Sequence, residues 1–309
     1  MKRKLFLFIV PALVAASSCT DKQDADLKTV TFKAGLESPS SRAAVVQDKE
    51  GKHHFYFTNN EKVSVFDDNL SECVFNIVTP NGGNYATCDL TGKGVFAGEE
   101  KSGKTDKLGF SKSYYAVYPR LSSVTKLEKD GVVTIPANTG MLVNQIARDR
   151  AFPASPNNPN LALGGIFMGK SSNGFFDFRP LTAYVKLTIT QDDIIRIRFN
   201  NNNTEGPFPS GPITVDYTGD TPVIDKSETS GGEVVLCNDR NYETTIPPGT
   251  YYLVILPMDF TKSSNGTSFK ILVHTKTSGK NTVAKRIDAP TQINITPGMI
   301  LDIGTIQHD

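Results

Sequence analysis

Tryptophan is missing from this chain, and neither sign of charge dominates it. The 309 residues include no tryptophan, and 33 lysine and arginine residues are balanced by 32 aspartate and glutamate residues, for a net charge of +1. The absence of tryptophan is unusual for a protein that binds sugars by ring stacking. A balanced charge offers no electrostatic attraction to a phosphate backbone. The composition therefore predicts that nucleic acid is not a partner.

Motifs of the common hydrolases are also missing. There is no G-x-S-x-G sequence and no H-E-x-x-H sequence. Ser123 to Lys126 match S-x-x-K, but the S-D-N and K-T-G motifs that accompany it in penicillin-recognising enzymes are absent. The four histidines, which lack metal-ligand spacing, are His53, His54, His274 and His308. The sequence therefore predicts a protein that is not an enzyme and has no cofactor and no metal site.

One segment matches a phosphate-binding pattern. Gly164 to Ser171 read G-x-x-x-x-G-K-S, the spacing with which backbone amides wrap phosphates at the start of a helix. The apolar residues 166–168 lie where the loop would be, and Asn173-Gly174 disfavours a helix after it. We interpret the match as fortuitous.

The first 18 residues are typical of a cleaved export signal. Basic residues 2–4 precede an apolar run from Leu5 to Ala16, which is shorter than the roughly 20 residues that span a bilayer. The sequence Ala16-Ser17-Ser18-Cys19 resembles a bacterial lipoprotein signal, in which Cys19 is acylated, with palmitate among its acyl groups, and becomes the new N-terminus. The alternative is an ordinary signal peptide with an incidental cysteine.

Residues 19–28 are polar and acidic and predict a flexible tether, because they contain too few large apolar residues to offset the entropy of ordering. Such an acidic stretch after the lipid cysteine also resembles the surface-export signal of Gram-negative gut lipoproteins. We therefore expect an outer-membrane protein, anchored by lipid and displayed on the cell surface or in a fimbrium.

The other three cysteines are Cys73, Cys88 and Cys237. A turn at Pro80–Gly83 would place Cys73 opposite residue 90 and Cys88 opposite residue 75. The two sulfurs would then share one face, one diagonal step apart. A disulfide between them and two separate buried thiols are both compatible with this placement.

Short strands dominate the chain after Thr29. Apolar and polar residues alternate at 29–34, 62–67 and 184–190, as expected of sheets with one solvated face. The clearest pair of strands runs from Ala183 to Ile189 and from Ile195 to Phe199, with Arg196 and Arg198 expected to face solvent. Strands at this spacing, separated by glycine, proline and asparagine, predict an all-β protein of two β-sandwich domains. The small polar stretch at 170–174 gives the boundary, with domains at 29–170 and 175–309.

Two aromatic runs, Phe55–Phe57 and Tyr114–Tyr118, have two readings. They are candidates for a ligand-binding face, but aromatic residues in strands are more often part of the core.

The order of several short motifs resembles one family. After the lipoprotein signal and the strand at 29–34 come Ser41-Arg42-Ala43 and Glu61-Lys62-Val63-Ser64-Val65-Phe66, followed by the motifs at 115–119, 135–137, 145, 167–170 and 178–186 and the closing Thr296-Pro297-Gly298. In this order the chain resembles the fimbrillin-type lipoproteins of the Bacteroidales.

The resemblance implies a fold and a mode of assembly. Members of this family are pilins with two tandem Greek-key β-sandwich domains, exported as lipoproteins. A trypsin-like protease cuts after an arginine behind the first strand, which leaves, and a neighbouring subunit supplies a replacement strand. Here the corresponding parts are the strand Thr29–Leu36 and Arg42. The closing strand, Met299–Ile306, is either a donor strand or an ordinary core strand.

The resemblance thus predicts a structural or adhesive fimbrial subunit. Its partners would be other fimbrial subunits, the outer membrane through the lipid at Cys19, and a ligand on a host or microbial surface. Two alternatives stay open at this point. Arg42 is a solvated loop residue if the subunit is never cut, and the chain is a monomeric surface lipoprotein if it binds glycan or another ligand through one sheet face.

Overall fold

The structure is a computed structural model. It describes residues 28–36, 46–47, 53–54, 56–57, 59–83, 85–96, 98–99, 109–110, 112–121, 126–129, 131–135, 144–146, 151–152, 165–201, 209–225, 233–259, 269–279, 282–288 and 293–308. These residues form strands, turns and one short 3-10 turn at Pro80–Gly82, and none of them lies in an α-helix. No helix capable of crossing a membrane occurs among them. The prediction of an all-β protein is confirmed.

The strands are numbered in chain order. The first thirteen are β1 (Lys28–Leu36), β2 (Val46–Gln47), β3 (His53–His54), β4 (Lys62–Phe66), β5 (Glu72–Val78), β6 (Thr87–Gly94), β7 (Gly98–Glu99), β8 (Gly109–Phe110), β9 (Tyr114–Tyr118), β10 (Lys126–Lys129), β11 (Val132–Ile135), β12 (Asn144–Ile146) and β13 (Ala151–Phe152). The others are β14 (Phe167–Ser171), β15 (Phe175–Pro180), β16 (Ala183–Ile189), β17 (Ile194–Asn201), β18 (Ile213–Asp216), β19 (Val223–Asp225), β20 (Glu233–Cys237), β21 (Gly249–Ile255), β22 (Met258–Asp259), β23 (Phe269–Thr275), β24 (Lys285–Asp288), β25 (Asn294–Ile295) and β26 (Ile300–Ile306).

Seven strands form a closed sheet in the order β1-β15-β14-β9-β4-β5-β6, with β6 pairing back to β1. Alternation along these strands turns every second side chain inward, so the interior is filled by buried aromatic and aliphatic groups. The sequence predicts a β-sandwich for this part of the chain, whereas the strands here close on themselves. In this closed sheet every member, including β1, has a hydrogen-bonded neighbour on both sides.

The predicted domain boundary at 170–174 is the turn of a hairpin. β14 and β15 pair antiparallel from Phe167 with Pro180 to Lys170 with Asp177, and both belong to the closed sheet. The chain leaves the closed sheet after this hairpin, beyond Pro180, and β16 begins in a different sheet at Ala183. The small polar residues of the stretch serve the turn itself, since Gly174 has a positive φ of 88° and donates its N–H to Ser171 Oγ.

The later strands form two sheets that face each other. One has the order β12-β20-β17-β23-β24 and the other the order β13-β21-β16-β26, and a separate apolar core lies between them. The strands predicted at 183–189 and 195–199 are both present as β16 and β17. They are not paired to each other, because the chain crosses between the facing sheets at residues 190–193. This part matches the predicted sandwich of two sheets.

A further sheet, β10-β11-β18-β19, packs against the first core, and three two-stranded sheets pair β2 with β3, β7 with β8 and β22 with β25. Val133, Ile135 and Val215 from this sheet belong to the same buried cluster as the interior of the closed sheet. Tyr252 and Val254 of β21 also belong to it. One continuous core therefore extends from the closed sheet to the outer side of β21.

Gln145 is a buried polar link between β12 and β21. Its side-chain amide donates to the Val254 carbonyl at 2.6 Å, and its Oε1 accepts the Val254 N–H at 2.9 Å. β13 pairs with β21 only at Tyr251 and Thr250, so the amide side chain satisfies backbone groups farther along the strand. Gln145 thus acts in place of a missing strand neighbour.

Replacing Gln145 with leucine is expected to lower the free energy of unfolding by about 2–4 kcal/mol, since both backbone groups of Val254 lose their partner in a buried site. Q145E retains an acceptor for the Val254 N–H but no donor for the carbonyl. Urea unfolding should rank the two variants below the wild type, and a Q145L chain as stable as the wild type would contradict this role.

Arg196 lies on the outer face of β17, beside a buried histidine. Its guanidinium stacks over the Tyr242 ring at 4.6 Å, and Nη2 lies 3.3 Å from both ring nitrogens of His274. Arg196 is predicted to face solvent, and in the structure it is half-buried by these contacts. Burial of His274, reinforced by the charge of Arg196, lowers the pKa of the imidazole from 6.5 to about 4.

This depressed pKa predicts a specific loss of stability in acid. Between about pH 6.5 and pH 4 the unfolded chain binds a proton at His274 that the folded chain does not, so stability falls as the pH falls through this window. The group accounts for up to about 3 kcal/mol between pH 7 and pH 4. Between pH 7 and pH 4, the free energy of unfolding of H274Q should fall by up to about 3 kcal/mol less than that of the wild type, as measured by urea unfolding at several pH values. Identical pH profiles for the two proteins would contradict this role of His274.

Candidate strand-exchange site

β1 closes the sheet along two seams. It pairs antiparallel with β6 from Lys28 with Gly94 to Gly35 with Thr87, and parallel with β15 from Lys33 with Phe175 to Leu36 with Phe178. The Lys33 N–H also donates to the Gly174 carbonyl at 2.9 Å, in the turn that precedes β15. Without β1, both β6 and β15 would expose a row of unpaired backbone groups.

The inner face of β1 is apolar and buried. Phe32 and Ala34 are fully buried, Leu36 is 7% exposed and Val30 packs against the same core. The sequence produces this face directly, because Val30, Phe32, Ala34 and Leu36 alternate with Thr31, Lys33 and Gly35.

Phe32 lies at the centre of an aromatic cluster, which we call the Phe32 cage. Four rings contact Phe32 in tilted or edge-to-face geometry, with centroid distances of 5.0 to 6.2 Å, and they belong to Phe75, Phe96, Tyr114 and Phe176. Phe75 rests on Gly92 of β6, where an added Cβ would lie 2.5 Å from the ring. The rings of the cage come from well-separated parts of the chain, so Phe32 joins these parts in one core.

Loss of β1 would cost much of the stability of the closed sheet. Full burial of a side chain such as Phe32 or Leu36 contributes about 1.5–3 kcal/mol. The backbone ladders on both sides add to that, and whole domains are stable by only about 5–15 kcal/mol. Loss of β1 would therefore remove a large share of the free energy that keeps the closed sheet folded.

Beside β1 lies an open depression of about 470 Å³. It is lined on its apolar side by Val78, Pro80 and Phe175 and on its polar side by Lys33, Thr87 and Asp89. Val78 and Phe175 are 48% and 41% exposed, so this depression is the apolar surface nearest to β1.

Cys73 and Cys88 are separate thiols. Phe75 pairs with Gly92 and Val78 with Asp89, and this register places Cys73 opposite Gly94 and not opposite residue 90. Cys88 correspondingly faces Thr79, six residues from Cys73 and about 20 Å along the strand. The reason is the turn, which extends beyond Pro80–Gly83 to Tyr85, where a bridge pairs with Phe57. Of the two alternatives, separate thiols match this structure.

Burial disfavours ionisation of all three thiols. Burial raises the pKa of Cys73 to about 12, with the charge of Asp67 as a smaller cause, and raises that of Cys237 to about 11. Burial also raises the pKa of Cys88, above that of Cys73. Because the thiolate is the reactive form, none of the three is suited to act as a nucleophile or metal ligand.

The other candidate residues do not assemble into a site. Lys170 of the phosphate-loop match lies in β14, where Nζ donates to the carbonyls of Thr218 and Gly219 at 2.7 and 2.9 Å. Tyr114–Tyr118 are all buried in β9, so this run is core and not a binding face. Within the described ranges, no group of acidic, histidine or cysteine side chains forms a metal site.

Two of the predicted site residues lie outside the described residues. These are Cys19, the predicted lipid attachment residue, and Arg42, the predicted processing residue. The end of β1 at Leu36 is the nearest described residue before Arg42, six positions earlier in the sequence.

The closing strand β26 lies at the edge of its sheet. It pairs parallel with β16 only, and the register shifts opposite Leu187, close to Gly304, which has a positive φ of 76°. The His308 backbone exchanges hydrogen bonds with the Gln191 side chain, and His308 Nε2 lies 2.8 Å from Asp193 Oδ1. In this structure β26 is a strand of the sandwich formed by the two facing sheets.

Comparisons with known proteins identify structural neighbours of the fimbrial kind. No family model matches the chain, and no curated protein matches it in sequence. A candidate cell adhesion protein from Bacteroides ovatus is 11% identical with a TM-score of 0.46, covering 90% of this chain and 92% of that one. One from Bacteroides uniformis is 12% identical with a TM-score of 0.42, covering 90% and 93%. The tip fimbrial protein Mfa3 from Porphyromonas gingivalis, with a C-terminal truncation, is 10% identical with a TM-score of 0.36, covering 88% and 84%.

These neighbours are Bacteroidales proteins of the cell adhesion and fimbrial kind, as the order of motifs predicts. The proposals below rest on the strand pairing and side-chain packing of this chain itself.

The role of Phe32 in closing the sheet is directly testable. F32A should lower the free energy of unfolding by about 3–5 kcal/mol, because truncation leaves a cavity inside the cage. The neighbouring exposed residue provides the control, and T31A should cost less than about 1 kcal/mol. Chemical denaturation of both variants measures the difference. Equal losses would show that the inner face of β1 is not what holds the sheet closed.

Proposed function

We propose that this protein is a structural and adhesive subunit of cell-surface fimbriae, joined to its neighbours by β-strand addition at the position of β1. The observation that carries the proposal is the placement of β1. The first strand of the chain lies between two partners that are distant in sequence, and it carries the residue at the centre of the core. A strand that is so placed can be exchanged only for another strand.

Strand addition supplies what the loss of β1 removes. An incoming strand pairs its backbone with β6 and β15 and places apolar side chains at alternate positions into the vacated core. Backbone pairing provides affinity, and the shape of the cage provides specificity. The interaction requires no catalytic group.

Arg42 is the proposed processing residue. It follows β1 by six residues, in the sequence Ser38-Pro39-Ser40-Ser41-Arg42, and serine- and proline-rich segments between strands are preferred sites of proteolysis. Cys19 precedes Arg42, so a cut there would break the covalent link that joins both β1 and the proposed lipid anchor to the rest of the subunit. A donor strand that then displaced β1 would release the subunit from the outer membrane in the same step.

A second candidate is a monomeric surface lipoprotein that binds a glycan or another small ligand. The depression beside β1 favours it, because Phe175 presents a half-exposed ring there. Ligand binding at this depression would stabilise the intact precursor and would require neither cleavage nor assembly.

An arginine-specific protease distinguishes the two functions. Treatment of the lipid-free precursor is expected to produce a new N-terminus at Ala43, identified by mass spectrometry, and then ladders that resist detergent. R42Q should stay uncut and monomeric, while R120Q, altered at an arginine two residues after β9, serves as the control and should be cut normally. Cleavage elsewhere, or monomers after a cut at Arg42, would reject the strand-addition function.

A further inference from the structure

Gly35 is the position on the outer face of β1 where a larger side chain meets the closest obstacle. By alternation its side chain would point outward with those of Thr31 and Lys33, yet Gly35 is buried while the other two are exposed. What covers it is Phe175, the first residue of β15. A Cβ added at Gly35 would lie 2.5 Å from Phe175 Cζ and 3.2 Å from Cε1.

The requirement for glycine comes from the ring and not from the backbone. Gly35 is not among the residues with positive φ, so an ordinary residue fits the backbone here. Glycine within a strand is unfavourable by about 0.5–1 kcal/mol relative to alanine, and an aromatic ring laid across it from the next strand compensates for this loss. Gly35 and Phe175 thus form a matched pair.

The position of the ring is set by the hairpin turn before β15. The Phe175 N–H donates to Asn173 Oδ1 at 3.0 Å, and the Gly174 carbonyl accepts the Lys33 N–H. Phe175 is the register partner of Lys33, so its ring reaches diagonally to the position two residues farther along β1. A larger residue at position 35 would force the ring away from β1 and into solvent.

Resting on the strand-addition function proposed above, we infer that Phe175 selects which strand closes the sheet. Phe175 accepts a strand from another subunit if that strand has glycine at the position that Gly35 occupies in β1. It disfavours a strand that has a larger residue at this position. The Phe32 cage and the fully buried Ala34 add two further requirements. Five consecutive residues of the partner strand should therefore be a large apolar residue, any residue, a small residue, glycine and a large apolar residue. In β1 these residues are Phe32, Lys33, Ala34, Gly35 and Leu36.

The closing strand shows how the pattern discriminates. Leu301 and Gly304 have the same spacing as Phe32 and Gly35, but Ile303 stands where the pattern has alanine. Extra methylenes in a filled core force neighbouring side chains out of place. The pattern therefore ranks a strand like β1 above β26 of a second copy as the occupant.

A double-mutant cycle in the intact chain tests the pair without any assembly. G35V should shift the unfolding equilibrium about 10-fold or more toward the unfolded state, since valine displaces the ring. In an F175A background the same change should be neutral or stabilising, because valine favours strands more than glycine does. T31V, at an exposed position without a ring above it, should show no such dependence on F175A. A G35V effect of the same sign and size in both backgrounds would overturn the inference.

A second measurement tests selection during exchange. The chain receives a specific protease site in place of residues 38–42, is cut, and is then incubated with a labelled peptide of residues 28–36. The wild-type peptide should be incorporated about 10-fold more than its G35V version, and F175A should remove that preference. If neither peptide enters, the proposed strand addition fails while the double-mutant cycle still decides the role of Phe175. If both enter wild-type protein equally, strand addition stands and selection by Phe175 is wrong.

Discussion

The packing of Phe32 between rings from distant strands is the interaction on which the closed sheet depends. Phe75 and Phe176 approach it from two sides of the seam, and both of the strands that pair with β1 would become edges without it. Aromatic burial and backbone pairing act here through the same nine residues, Lys28–Leu36. The strand that carries the centre of the Phe32 cage is therefore also the first strand that the structure describes. The proposed strand addition requires this combination.

The strands themselves could be predicted from the sequence, because alternation is local. Phe32 and Ala34 alternate with Thr31 and Lys33, and that pattern alone places Phe32 in a core. What alternation cannot provide is the neighbour. β1 pairs in parallel with β15, more than 130 residues later, and nothing in either strand specifies the other. A sandwich and a closed sheet use the same strands, so alternation predicts a sandwich here although the pairing closes the sheet.

Two further differences arise from turns. Small polar residues such as those at 171–174 mark a reversal of the chain, but a hairpin turn and a boundary between domains need the same residues. The sequence predicts the turn between β5 and β6 at Pro80–Gly83. In the structure the turn extends to Tyr85, and this shifts the register of every residue pair between the two strands. Cys73 and Cys88 were displaced from each other by that shift alone. The role of Phe175 was missed for a related reason: Gly35 looks like an ordinary strand glycine until the residue across from it is known.

In the proposed strand addition, the covalent attachment of β1 to the rest of the chain decides when β1 can be exchanged. While β1 is continuous with the rest of the subunit, any competing strand faces an intramolecular rival whose effective concentration is on the order of millimolar. A cut after Arg42 would remove this advantage but leave the cage, both ladders and the Gly35–Phe175 contact in place. Cleavage alone would therefore not empty the seam, and a donor would have to be present at high local concentration or pack at least as well as β1. In the proposed assembly, the fit to the Phe32 cage and to Phe175 would consequently control which subunits join, and proteolysis would control only when they join.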